Sequence, residues 1–195
     1  MRLRILLLGM LLAGCGGSPQ PPADNQPDPV LQAAAAGARV DTVGILNLAD
    51  ADTLNQDQGL TIVETTFSFP PEASGGEVFA WEFNARELRP VKLLIVRFDQ
   101  GKDNIELVGE SELVVPRQVG LNRFVLREPI PIQARDFYGI YQPEAGAIPF
   151  KKIRNWKALI TAKPLTRPWM KRDVFSMYGW QYALRVFWRK EQPAQ

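Results

Sequence analysis

The sequence predicts an all-β fold, a single antiparallel β-sandwich of jelly-roll type with roughly 8–10 strands. From Val40 onward, short β-branched and aromatic segments recur at roughly 8–15-residue intervals, and Gly, Pro or Asn closes each of them. Helical periodicity is almost absent over this stretch, which argues against a βαβ fold. The composition (46% hydrophobic, 10% aromatic, 23% charged over 195 residues) is that of a globular chain of one domain. An open-ended barrel and a fibronectin-like sandwich with fewer strands are the alternatives.

The strands predicted in the first half of this region differ in their patterns. The segment 61–69 is β-branched and aromatic, and Pro70 and Pro71 end it. A second strand is predicted over 78–83, after a Gly-rich turn. The segment 91–98 is apolar on both faces, which is typical of a central strand. The predicted shared faces are Val63, Thr65, Phe67 and Phe69 in the first strand and Phe79, Trp81 and Phe83 in the second.

The second half predicts shorter strands and one long, strictly alternating one. The long strand covers 180–188, where Trp180, Tyr182, Leu184, Val186 and Trp188 share a face. The shorter predicted strands are 105–108, 113–115, 121–126, 130–132, 137–141 and 156–161.

The N-terminus carries an export pattern. Arg2 and Arg4 precede the apolar stretch 5–12, which is too short to span a bilayer as a helix. The residues Leu-Ala-Gly-Cys at 12–15 follow. This segment resembles the lipobox signal peptide of bacterial lipoproteins. The resemblance implies cleavage before Cys15, diacylation of its sulfur and acylation of the new N-terminus, and two or three acyl chains hold a protein stably to a membrane.

The same resemblance predicts the location and the domain boundaries. Gly16, rather than aspartate, follows the modified cysteine, which implies an outer-membrane lipoprotein if the cell has two membranes. We therefore predict a signal peptide over 1–14, a lipidated N-terminus with a Pro/Gly/Ala-rich tether over 15–38, and the β-sandwich over 39–191. Within the tether, 30–36 could form a short helical turn that Gly37 ends.

A second resemblance concerns residues 79–141. Pro131-Ile132-Gln133-Ala134-Arg135-Asp136-Phe137-Tyr138-Gly139-Ile140 is similar to the proline–β–turn–Asp–aromatic–x–Gly–β pattern of jelly-roll modules in secreted bacterial proteins. The resemblance implies a jelly roll, and such modules often bind glycans or other proteins. It assigns no functional residue in this chain.

Composition also restricts the chemistry. The chain has no histidine and one cysteine, which excludes His-based triads, Cys–His pairs, His- or Cys-rich zinc sites and an intramolecular disulfide. Glu110 and Glu112 lie two apart, so on a strand they share a face and do not oppose each other across a cleft as glycosidase carboxylates do. We expect no catalytic activity, and a carboxylate-based polysaccharide hydrolase is the remaining enzymatic alternative.

Charge is segregated along the chain. Residues 16–112 hold 6 basic and 16 acidic residues, whereas residues 113–195 hold 15 basic and 5 acidic ones. The stretch 151–172 contains no acidic residue and includes two tryptophans, a pattern that suits anionic polymers or lipid headgroups. The candidate ligand-binding residues are Lys151, Lys152, Arg154, Trp156, Trp169, Lys171 and Arg172. Alternatively, this stretch folds against the acidic first half and its tryptophans are buried.

One acidic loop is a weak candidate calcium site. Asp50, Asp52, Asn55 and Asp57 bring oxygen donors together, although their spacing departs from the EF-hand pattern. A solvated loop with Asx turns is the alternative. No other cofactor is expected.

Two functions follow from these observations. The first is a membrane-anchored lipoprotein of the cell envelope whose β-sandwich binds an envelope glycan or another polyanion without catalysis. The alternative is an accessory or structural lipoprotein that binds a protein partner in an envelope complex. Nucleic acid has no motif support as a partner.

Overall fold

The computed structural model describes residues 28–47, 50–99, 101–165 and 168–191. The predicted signal peptide, Cys15 and most of the predicted tether lie outside the described residues. The described residues form one α-helix, two short 3-10 turns and thirteen β-strands. The helix is α1 Pro29–Ala35, and the strands are β1 Arg39–Ile45, β2 Leu60–Glu64, β3 Gly76–Ala85, β4 Lys92–Asp99, β5 Asn104–Glu110, β6 Gly120–Ile132, β7 Phe137–Gln142, β8 Phe150–Lys152, β9 Ala158–Thr161, β10 Trp169–Lys171, β11 Ser176–Tyr178, β12 Trp180–Tyr182 and β13 Leu184–Lys190.

The predicted antiparallel sandwich of jelly-roll type is confirmed by the strand pairing. Leaving out β8–β12, the first strand of the chain pairs with the last (β1 with β13), and β2 pairs with β7, β3 with β6 and β4 with β5. All four pairs are antiparallel and nested within one another. The first sheet has the order β1-β13-β3-β6, and the second contains β5-β4-β7-β2. This is the topology of an eight-stranded jelly roll.

The five additional strands belong to one insertion between β7 and β13. In this insertion β9 and β11 extend the second sheet beside β2, and β10 extends it beside β5. β8 and β12 pair with each other as a separate two-stranded ribbon. The second sheet therefore has the order β10-β5-β4-β7-β2-β9-β11.

The main hydrophobic core lies between the two sheets. Trp81 and Trp188 from the first sheet are fully buried there, together with Leu93 and Ile95 from β4 of the second. The alternation predicted for 180–188 is confirmed, since the alternating residues of this segment all contribute to this core. Four of them are buried in it, and Trp180 packs against it. Burying aromatic side chains of this size dominates core energetics because each removes on the order of 150–250 Å² from water.

A second apolar cluster lies on the outer face of the second sheet. Leu94 and Val96 of β4 point there, which confirms a central strand that is apolar on both faces. The insertion covers this face. After β9, which is second from one edge of the sheet, the chain reaches β10 at the opposite edge and then returns to β11 at the first edge. Leu165 and Phe175 are buried against the sheet on the way out and on the way back, respectively.

One predicted face is wrong because of a β-bulge. The pairing of β3 with both of its neighbours shifts register between Val78 and Ala80, so Phe79 is displaced from the alternation. Trp81 lies in the main core, whereas Phe79 packs with Phe187 in a small cluster on the outer face of the first sheet.

Several strand boundaries also differ from the prediction. The strand predicted over 61–69 ends at Glu64, and the predicted strands 121–126 and 130–132 form the single strand β6. Residues 113–115 make one isolated bridge, between Val114 and Val91, and no strand. The long strand predicted over 180–188 is interrupted at Ala183, where the chain passes from the ribbon into the first sheet.

The end of the predicted tether packs on the first sheet. The side chain of Asp28 caps α1 by accepting a hydrogen bond of 2.9 Å from the backbone N–H of Val30. Ala33 is buried against the Phe79 cluster, and Gly37 follows the helix in the left-handed region (φ +82°). α1 is thereby attached to the sheet through both a side-chain contact and an ion pair of Asp28 with Arg123.

Candidate functional site

The structure separates the predicted basic segment into two groups. The first group, residues 151–156, lies on the ribbon and in the turn that leads to β9. The second group, residues 169–172, lies on and directly after β10 at the opposite edge of the second sheet. The strand order places five strand intervals between β9 and β10, which corresponds to roughly 24 Å. The seven candidate residues therefore do not form one continuous face.

In the first group, two residues are used within the fold. Lys151 forms an ion pair with Asp50, which lies in the acidic loop. Trp156 is half-buried, donates its indole N–H to the carboxylate of Glu64 and contacts Phe67 edge-on at 5.2 Å between ring centroids. The other two residues of this group, Lys152 and Arg154, are exposed.

In the second group, each residue has a local partner. The Nζ of Lys171 lies 5.7 Å from the ring centroid of Trp169 and donates to the backbone carbonyl of Lys102 at 3.2 Å. Arg172 lies 3.8 Å from the carboxylate of Asp103. Trp169 is 48% exposed, so the alternative that it is buried is wrong for this tryptophan.

An aromatic stack leads from the core to the surface next to the first group. The rings of Phe150 and Trp180 stack at 4.4 Å, and those of Trp180 and Tyr178 also stack at 4.4 Å. Phe150 is buried, Trp180 is half-buried and Tyr178 is 40% exposed. Since each ring is supported by the one beneath it, the outer ring presents a rigid flat surface.

Exposed cations surround this stack. Lys152 lies directly opposite Trp180 in the ribbon, and Lys157 immediately precedes Ala158, which lies opposite Tyr178. Among the described residues, no carboxylate forms an ion pair with Lys152, Arg154 or Lys157. We call this surface the aromatic–basic strip and define it by Lys152, Arg154, Lys157, Tyr178 and Trp180.

Gly179 allows the parts of the strip to approach each other. The backbone N–H of Ile153 donates to the carbonyl of Gly179 at 2.6 Å. A Cβ atom at Gly179 would lie 2.6 Å from the carbonyl oxygen of Ile153. Only glycine therefore permits the turn that carries Arg154 to pack between Tyr178 and Trp180.

A cleft of about 240 Å³ borders the aromatic rings. Its lining includes Tyr178 and Trp180 together with the polar residues Asn55, Asp57 and Thr161. A cleft lined by both aromatic rings and hydrogen-bonding groups is chemically suited to a sugar ring, because the ring has an apolar face and a polar rim.

The acidic loop reaches the same region, but three of its four candidate side chains make separate contacts. Asp50 pairs with Lys151, Asp52 accepts from the hydroxyl of Thr53 at 3.3 Å, and Asn55 donates to the hydroxyl of Tyr182. Within the described ranges, no group of three or more acidic or cysteine side chains is arranged to hold a metal ion.

A buried carboxyl group, that of Glu64, lies next to the strip. Glu64 is 1% exposed, and its oxygens accept from the backbone N–H of Tyr182 at 3.0 Å and from the indole of Trp156. Burial raises the pKa of Glu64 to about 8, against the smaller lowering effect of these two hydrogen bonds. Burial, together with the neighbouring charge of Glu64, also raises the pKa values of Tyr138 and Tyr182 well above 10.

Comparison with known proteins identifies no relative of this chain. No protein-family model matches the chain, and neither a curated protein nor a solved structure is similar enough to be matched. In the described part of the chain, no helix is long and apolar enough to cross a membrane.

Sequence reasoning missed two groups of residues at this site. The sequence analysis gives Tyr178 no role, includes Lys157 in the basic stretch 151–172 but not among the candidate residues, and assigns Trp180 to the alternating face of 180–188. Trp180 does pack partly against the core, but its register opposite Lys152 also places it in the strip. Glu64 gave no signal, since a glutamate at the end of an apolar strand is ordinarily solvated.

Proposed function

We propose that this protein is a bacterial lipoprotein whose jelly roll binds an anionic envelope glycan, without catalysis, at the aromatic–basic strip. The observation that carries the proposal is the arrangement of three unpaired, exposed cations around the stacked rings of Tyr178 and Trp180. The anchor is the acylated Cys15, and its support is the lipobox pattern at residues 12–15.

The chemistry of the strip favours an acidic polysaccharide over a neutral one. The aromatic rings would stack on the apolar face of a sugar, and the ammonium and guanidinium groups of Lys152, Arg154 and Lys157 would pair with carboxylate, sulfate or phosphate substituents. Because these cations form no ion pair with any described carboxylate, a ligand does not need to displace such a pair.

The test is binding to polygalacturonate, a carboxylate-bearing polymer, with neutral dextran as the comparison ligand. The lipoprotein, purified in detergent, is titrated with each polymer, and the shift in its thermal midpoint is measured. We expect a shift with polygalacturonate that decreases as salt is raised, and none with dextran. A ligand at about a hundred times its dissociation constant stabilises by roughly 2.7 kcal/mol, which shifts the midpoint by several degrees.

A charge-reversal pair locates the binding. Lys152→Glu combined with Lys157→Glu should abolish the shift, whereas the matched variant Arg86→Glu with Arg89→Glu, which changes the same charge elsewhere, should retain it. Tyr178→Ala should weaken binding and Tyr178→Phe should not, since stacking needs only the ring. Equal binding by the two charge-reversal variants would refute the strip as the site.

If polygalacturonate does not shift the thermal midpoint, the alternative function is favoured, in which the protein binds a protein partner in an envelope complex. A stoichiometric protein partner recovered by cross-linking to the strip would then identify an accessory lipoprotein.

A further inference from the structure

One end of the jelly roll exposes branched apolar side chains. At this end β3 stops at Ala85, opposite Gly120, where β6 begins, and Val91 and Val114 exchange backbone hydrogen bonds of 2.8 and 2.9 Å. The loops between β3 and β4 and between β5 and β6 therefore lie side by side. Five apolar side chains on these loops and at the start of β6 are between 48% and 65% exposed. We call this surface the apolar end; its residues are Leu88, Leu113, Val115, Val119 and Leu121.

The charged residues around the apolar end do not give it a strong net charge. Around it, Arg86, Arg89 and Arg117 are nearly balanced by Glu87 and Glu112. Lys92 and Glu110 pair with each other at 3.3 Å. Apolar side chains gathered on adjacent loops mark a contact surface, whereas single exposed ones do not. Binding of another surface to the apolar end should therefore be driven by the hydrophobic effect and should depend little on salt concentration.

The path of the chain indicates what this surface contacts. Asp28, the first described residue, pairs with Arg123, which is three residues along β6 from Gly120, a distance of roughly 10 Å. The chain thus enters the folded part close to the apolar end. Cys15 precedes Asp28 by thirteen residues, and thirteen residues reach at most about 45 Å.

We propose that the apolar end inserts into the surface of the bilayer that holds the lipid anchor. The inference rests on acylation of Cys15, as in the proposed function.

The experiment uses the lipidated protein reconstituted into vesicles of phosphatidylethanolamine and phosphatidylglycerol. Because Cys15 is the single cysteine and acylation blocks its thiol, Val119→Cys introduces a unique thiol for an environment-sensitive fluorophore. Met177→Cys, on β11, is the matched control at another exposed apolar residue, 52% exposed. Quenching of each fluorophore by lipids that carry a nitroxide on the acyl chain is measured.

We expect quenching at position 119 to exceed that at position 177 severalfold and to persist at high salt and in vesicles of phosphatidylcholine. Adding Leu113→Ser and Leu121→Ser should remove most of the difference. Equal quenching at the two positions in an acylated protein would overturn the proposed insertion.

The two proposals fail in distinguishable ways. A free thiol at Cys15, detected by mass spectrometry and by a second label, would refute the anchor itself.

Discussion

The outer face of the first sheet carries half-buried arginines and the aromatic–basic strip carries exposed cations, and the surroundings of the two sets differ. On the first sheet, Glu82 accepts from Arg123 and from Arg185, the latter with a closest contact of 2.7 Å. On the same sheet, Arg189 contacts Glu77 at 2.6 Å. In the strip, none of the described carboxylates forms an ion pair with Lys152, Arg154 or Lys157.

This difference explains much of the charge segregation along the chain. The carboxylates of the first sheet come from the acidic first half, and their arginine partners come from the basic second half. Residues far apart in sequence thus neutralise each other in space. Among the described residues, Lys152, Arg154 and Lys157 have no such ion-pair partners.

The largest predicted effect concerns the buried carboxyl beneath the strip. Because burial raises the pKa of Glu64 from 4.5 to about 8, the unfolded chain loses this proton over that pH range while the folded chain keeps it. The free energy of unfolding should therefore fall as pH rises from about 4.5 to 8, by on the order of 5 kcal/mol. Urea denaturation at pH 5 and pH 8 measures it.

Glu64→Gln is the control for this prediction. The variant has no proton to lose, so its free energy of unfolding should be nearly independent of pH over the same range. Parallel pH profiles for the two proteins would contradict the buried, protonated state.

The next largest effect on stability is expected on the outer face of the first sheet, where the cations are paired. Glu82→Gln removes a fully buried carboxylate that two arginines share, and we expect a loss of about 2–3 kcal/mol in the free energy of unfolding. This is below the range for fully buried pairs because Arg123 and Arg185 are about one-third exposed. Polygalacturonate binding should be unchanged when compared well below the melting temperature. A loss of binding without a loss of stability would reverse the roles assigned to the two surfaces.

A smaller effect is expected at Gly179. Gly179→Ala places a Cβ 2.6 Å from the carbonyl oxygen of Ile153, so the turn must move, at a cost of about 1–3 kcal/mol. The displaced turn carries Arg154, and glycan affinity should decrease as well. Gly101→Ala, whose Cβ would approach nothing closer than 3.5 Å, is the matched control, and thermal unfolding of both variants provides the comparison.

The smallest stability effect should come from the strip itself. Lys152→Ala removes an exposed, unpaired cation, so the free energy of unfolding should change by less than about 0.5 kcal/mol. The same variant should weaken polygalacturonate binding. A stability loss comparable to that of Glu82→Gln would show that Lys152 has a structural role.

The fold was predictable because its signals are local. The alternating residues of 180–188 and the apolar segment 91–98 report burial on one or two faces without knowledge of their neighbours. The bulge at Phe79 was not predictable, since it depends on register with β6 and β13. The strip could not be predicted as a unit either. Its lysines and aromatic rings meet only through the pairing of Lys152 with Trp180 and of Ala158 with Tyr178.

The nested strand pairing has a consequence for the order of events during synthesis. Arg39 in β1 lies opposite Lys190 in β13, about 150 residues later, so the first sheet cannot close until the last strand has been made. Contacts at such sequence separations fold slowly, on the millisecond-to-second scale for all-β proteins. A nascent chain of this design has no complete core for almost its entire length. If the chain is exported, as proposed, it would remain unfolded while it passes through a translocation channel and would fold only on the far side.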